Sequence, residues 1–151
     1  MVDIKLIQGD CLEKMKDIPD GSVDMVLTDP PYGTTACKWD SIIPFNEMWL
    51  RLNKLIKPNG AIVLFGSEPF SSALRMSNIK NYKYDWVWEK QQGTGHLNAK
   101  KQPLRKNELI SVFYKKQCLY NPQMVGNEER TVKRNGKVAK AETYNKFIEI
   151  P

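Results

Sequence analysis

Asp29, Pro30, Pro31 and Tyr32 stand in one unbroken row, behind the run Val23 to Leu27 and before Gly33. An aromatic amine, such as the exocyclic nitrogen of adenine, is a poor nucleophile because its lone pair is delocalised into the ring. A carboxylate and a backbone carbonyl that accept both amino hydrogens favour a more tetrahedral nitrogen and offset the charge that develops as it attacks. Asp29 and the carbonyl of Pro30 are suited to that task. Taking a base out of its duplex costs a few kcal/mol, and stacking on an aromatic face returns roughly 1 to 3 kcal/mol, a role open to the ring of Tyr32. The row must also end whatever precedes it, since neither proline has an N–H to give to a strand ladder.

Such a row needs a rigid element to aim it. Val23 to Thr28 reads as a short buried strand, so Asp29 lies at a strand's carboxyl end, where open α/β sheets bind their ligands. Ahead of it, Ile4 to Ile7 predicts a first strand, and Asp10 is placed to cap a short helix from Cys11 to Lys16. Phe45, Met48, Trp49, Leu52, Leu55 and Ile56 recur at helical spacing behind Pro44, with Lys57-Pro58-Asn59-Gly60 as the stop. Ala61 to Phe65 is a continuous apolar strand of the kind that parallel sheets bury on both faces. A helix from Phe70 to Ser77, an alternating strand from Tyr82 to Trp88 and a strand from Leu109 to Tyr114 complete the ordered pattern. Between Lys90 and Asn107 the residues carry neither periodicity and predict a long functional loop. Beyond Lys115 the chain is polar, basic and poorly periodic, with one extended piece suggested near residues 147–150.

The 151 residues hold 41% hydrophobic and 26% charged positions, which fits one folded domain and excludes a wholly disordered chain. The net charge is +6 and the isoelectric point near 9.2. Residues 1–79 carry 8 Lys/Arg against 10 Asp/Glu, whereas residues 80–151 carry 15 against 7. The second half is therefore the expected nucleic-acid side, with Lys100, Lys101, Arg105 and Lys106 as candidate phosphate contacts. Cys11, Cys37 and Cys118 form no CxxC pair and His96 is the single histidine, a composition that supports neither a disulfide framework nor a metal site. Reduced cytoplasm is the expected compartment, and no apolar run approaches the length of a membrane span.

Gly9-Asp10-Cys11-Leu12, Ser22-Val23-Asp24 and Thr28-Asp29-Pro30-Pro31-Tyr32-Gly33 together resemble the amino-group DNA methyltransferases that use S-adenosylmethionine, in the permuted group whose catalytic loop precedes the cofactor glycine motif. The resemblance covers most of residues 4–115 and implies a Rossmann-like α/β sheet, mostly parallel and incomplete toward the C-terminus. It implies direct methyl transfer to an amine of a flipped base in double-stranded DNA, with Asp29, Pro30, Pro31 and Tyr32 as the catalytic loop. It assigns Asp10, with its neighbour Cys11, to the cofactor. An initial Asp in the tetrapeptide is typical of N6-adenine enzymes; N4-cytosine enzymes more often begin with Ser. The family's Phe-x-Gly-x-Gly loop is missing, so the chain is expected to be truncated before it. The expected reaction is therefore N6-adenine methylation, with a non-catalytic nucleic-acid-binding remnant or partner subunit as one alternative and N4-cytosine methylation as another; a homodimer or a complementing chain is the expected assembly. Residues 1–115 are expected as the catalytic region, and 116–151 as the start of a target-recognition region or a disordered tail.

Overall fold

Strand directions follow from which apolar runs find partners. The computed structural model describes residues 2–123. Four strands, β1 (Val23–Thr28), β2 (Ile56–Gly66), β3 (Tyr82–Thr94) and β4 (Arg105–Phe113), form one sheet in the order β1-β2-β4-β3. β1 and β2 are parallel, with Thr28 opposite Leu64. β4 runs antiparallel to both of its neighbours. The α/β class and the Rossmann-like sheet stand, but the expectation of mostly parallel strands is corrected among the described residues. The physical reason is that β3 and β4 are the arms of a hairpin, which must be antiparallel.

Helices α2 (Phe45–Leu55) and α3 (Phe70–Ser77) cover one face of the sheet. Met48, Trp49 and Leu52 of α2 and Phe70 and Leu74 of α3 pack with Ile62 and Leu64 of β2 and Phe113 of β4. The Trp49 indole donates to Ser77 Oγ at 2.7 Å and ties the two helices together. Val63, Ile110 and Val112 point to the other face, where Phe65, Tyr84 and Tyr114 pack around them. On that face, Met25 and Leu27 of β1 remain 56% and 57% exposed.

Three further expectations change. Ile4 to Ile7 is not a strand; Ile4 and Leu6 are 77% and 92% exposed. No neighbour among the described residues offers it a ladder, and an unpaired strand has nothing to offset its ordering entropy. Lys57-Pro58-Asn59-Gly60 does not separate helix from strand but is looped out within β2, since Val23 pairs with Ile56 while Met25 pairs with Ala61. The segment 90–107 is largely ordered: β3 continues to Thr94, β4 begins at Arg105, and a 3₁₀ turn at His96–Asn98 lies between. Lys90–Glu108 at 2.8 Å and Lys106–Glu89 at 2.9 Å link the two arms across the ladder. The short helix α1 (Cys11–Lys14) passes into a 3₁₀ turn at Met15–Asp17, a little longer than forecast. The extended piece suggested near 147–150, and most of the region 116–151, fall outside the described residues.

Candidate active site

Because β1 and β2 are parallel and β4 returns antiparallel beside β2, one end of the sheet gathers three segments. Asp29 follows Thr28 of β1, Ser67 follows Gly66 of β2, and Gly66 lies opposite Leu109, so Arg105 to Glu108 emerge at that same end. The 3₁₀ turn and its basic neighbours Lys100 and Lys101 lie beyond them on the hairpin. The row Asp29 to Tyr32 and the four candidate phosphate contacts are thus at one end of the sheet. Arg105 is the most engaged of the four: its Nη1 donates to Ser67 Oγ and the Glu68 carbonyl, both at 3.2 Å. Lys106 is paired with Glu89, whereas Lys100 and Lys101 are exposed in the turn.

Within the row, Pro30 is buried, Pro31 and Tyr32 are half-buried, and Asp29 is exposed at the strand's end. Tyr32 is anchored in two ways. Its ring stacks on Phe70, with centroids 5.0 Å apart and planes inclined by 30°. Its hydroxyl donates to Asp29 Oδ1. Burial first, then the bond to Asp29 and the Asp29 and Glu108 charges, raise the Tyr32 hydroxyl far above its usual ionisation range. It therefore remains a donor over any physiological pH. A pocket of about 300 Å³ opens beside the row, lined by Asp29, the prolines, Tyr32, Thr34, Thr35, Trp39 and Asp40.

Asp40 escaped the sequence reading. It is 8% exposed, and its carboxylate accepts the amides of Gly33 at 2.8 Å, Thr34 at 2.9 Å and Thr35 at 2.7 Å. Hydrogen bonding, led by Thr35 and then the Gly33 amide, holds its pKa down to about 2. Gly33 permits the turn: its φ is +68°, and a Cβ there would sit 3.0 Å from Ile42 Cγ1. One buried carboxylate thus fixes the backbone immediately behind Tyr32. The only available cue was an Asp placed after a run of small residues, since three consecutive amides leave no trace in side-chain type.

Asp10 does what a helix cap does. Its Oδ1 accepts from Leu12 N at 2.8 Å and Glu13 N at 3.3 Å, and both Asp10 and Cys11 are exposed. Nothing in the described structure brings these two residues into the pocket beside Asp29, whose lining holds Asp29 and Asp40 but no cation.

The profile of a DNA methylase family, the N6/N4 methyltransferases, matches residues 23–148. The chain belongs to this family. The type II methyltransferase M.HinfI of Haemophilus influenzae is 28% identical over the aligned segment, in a match that covers 54% of this chain and 29% of that protein. M1.MboII of Moraxella bovis is 28% identical over the aligned segment, in a match that covers 74% of this chain and 46% of the relative. The chain spans less than half the length of these curated relatives. In fold it is similar to the M1.HpyAVI complex with S-adenosylmethionine, with a TM-score of 0.58 and 24% identity over 80% of this chain and 61% of that one. It is also similar to the cytosine-N4-specific PvuII methyltransferase, with a TM-score of 0.54 and 18% identity over 73% and 48% of the two chains. The family is one of enzymes that use S-adenosylmethionine. No helix among the described residues is long and apolar enough to cross a membrane.

Proposed function

We propose that this chain carries the amine-activating part of a DNA adenine N6-methyltransferase. The observation that supports this most directly is the Asp29 carboxylate at the carboxyl end of β1, next to the rigid Pro30-Pro31 carbonyls and half-buried Tyr32, in an open pocket. S-adenosylmethionine, when bound, supplies an electrophilic methyl group on a sulfonium sulfur. The pocket's chemistry suits such a cation, with the exposed Asp29 carboxylate and aromatic rings in its lining. Asp10 and Cys11 are the residues assigned to the rest of the cofactor by resemblance.

Asp29 accepts one hydrogen of the target amine in place of the Tyr32 hydroxyl, and the Pro30 carbonyl accepts the other. The nitrogen lone pair is then directed out of the ring and toward the methyl carbon. As the nitrogen becomes positive, the Asp29 charge offsets it, and the carboxylate is placed to take the proton that the methylated nitrogen sheds. Duplex DNA is held from the hairpin through Lys100, Lys101, Arg105 and Lys106, contacts that position the backbone without reading sequence.

A non-catalytic nucleic-acid-binding role is favoured by one observation, the commitment of Asp10 to its helix cap. The two readings separate in one assay. The chain is incubated with duplex DNA and methyl-labelled S-adenosylmethionine, and the DNA is digested to nucleosides for chromatography. Label in N6-methyladenine that falls by about 10²-fold or more in Asp29→Ala is the expected result. Label in N4-methylcytosine would move the target to cytosine, and near-normal turnover in Asp29→Ala would sink the assignment of the row.

A further inference from the structure

The motif gives the stacking task to Tyr32, but that ring already rests on Phe70 and its hydroxyl is held by Asp29. A second aromatic ring lines the same pocket. Trp39 is 72% exposed, more than Trp86 at 46%, Trp88 at 55% or Trp49 at 7%. Trp86 pairs with Tyr84 and Trp88 with Phe65, and Trp49 packs on Phe113. Trp39 is the one tryptophan that joins no aromatic pair among the described residues. A large ring left in water at a pocket wall gives up the burial that normally repays its ordering. It is not on a loose segment either, for the next residue is Asp40, buried and bonded to three consecutive amides. The Asp40 carboxylate therefore fixes both the turn behind Tyr32 and the backbone that presents Trp39.

We propose that Trp39 is the stacking wall for the extruded target base, in the pocket where Asp29 accepts that base's amine. The inference rests on the reading of Asp29 as an amine acceptor and deepens it. Tyr32 positions and occupies the carboxylate in the empty pocket, and Trp39 supplies the free π-face that a flat heterocycle needs. An adenine ring also occurs in S-adenosylmethionine, and the two sources are distinguished by separate ligands.

The test uses the full chain and binding alone, so that it remains readable if methyl transfer is not observed. A fluorescein-labelled single strand of eight deoxyadenosines avoids both the unknown recognition sequence and the cost of base extrusion. Its affinity is measured by anisotropy beside that of an abasic strand of equal length. Wild type is expected to favour the adenine strand. Trp39→Ala should weaken that strand roughly 10-fold, within the range that loss of one base–aromatic stack produces. It should leave the abasic strand unchanged, and Trp39→Phe should restore most of the loss. Calorimetric binding of S-adenosylhomocysteine should be the same in wild type and Trp39→Ala. Equal affinity of wild type for the two strands, an adenine-strand affinity untouched by Trp39→Ala, or a loss confined to S-adenosylhomocysteine would each overturn the proposal. The last outcome would assign the wall to the donor's own adenine.

Discussion

At the scale of single residues, two carboxylates near the row do opposite work. Asp29 is exposed and accepts from a single partner, the Tyr32 hydroxyl, the bond that the target amine would replace on the proposed reading. Asp40 is buried and fully committed, so it organises backbone and is unavailable to a ligand. The commitment of Asp40 has a consequence in its titration. Asp40's folded pKa lies near 2, below its ordinary 3.8, so its stabilisation of the loop is complete above the ordinary value and is lost as pH falls through the folded one. The amide resonances of Gly33, Thr34 and Thr35 are expected to move together with a midpoint near 2, and to lose that shared titration in Asp40→Asn. A midpoint near the ordinary carboxylate value would show that the three bonds do not persist in solution. The row itself was legible because all of its chemistry is contiguous. Asp40 was not, because a carboxylate that binds main-chain amides leaves its partners free to be any residue, here Gly and two Thr.

At the scale of elements, the site depends on how abruptly β1 ends. Pro30 is buried at the strand's exit and Gly33 reverses the chain in a left-handed conformation, with Ile42 directly behind its Cα. An L-residue in that region costs about 1–2 kcal/mol, and the 3.0 Å approach to Ile42 adds crowding. Gly33→Ala is therefore expected to lower stability by about that amount or more, read as a drop in the urea midpoint at unchanged slope. An unchanged midpoint would mean that the turn relaxes freely. Elements with a strong internal period, such as α2 with Met48, Trp49, Leu52 and Leu55 inward, could be read from the chain. The strands Tyr82 to Trp88 and Leu109 to Tyr114 could be read as well, but their extensions into the β3–β4 hairpin could not, since residues 89–94 and 105–108 are polar. Their order comes from cross-strand pairing, with Glu89 opposite Asn107 and Lys90 bridged to Glu108, rather than from burial. Ile4 to Ile7 failed in the reverse sense: an apolar run was present, but no neighbour among the described residues paired with it.

At the scale of the whole molecule, the uneven charge becomes a directional feature only because the hairpin returns to the end of the sheet where β1 delivers Asp29. On the proposed reading, a cationic hairpin there would place phosphate attraction beside the amine acceptor, so that approach and chemistry share one end. The four basic residues are not equivalent. Arg105 spends its guanidinium on Ser67 and Glu68, and Lys106 is paired with Glu89, while Lys100 and Lys101 have exposed side chains in the turn. Each phosphate contact releases counterions and contributes about 0.9 to the slope of log K against log salt. The double variant Lys100→Ala/Lys101→Ala is expected to reduce that slope by about 2 on random-sequence duplex, with little change in the fold. Arg105→Ala should alter the slope less and disturb more the cleft that Arg105 lines together with Ser67 and Glu68, because its contacts are already intramolecular. Titrations at several salt concentrations decide the matter: a larger slope change for Arg105 than for the lysine pair would place the DNA against the cleft wall instead of the hairpin turn.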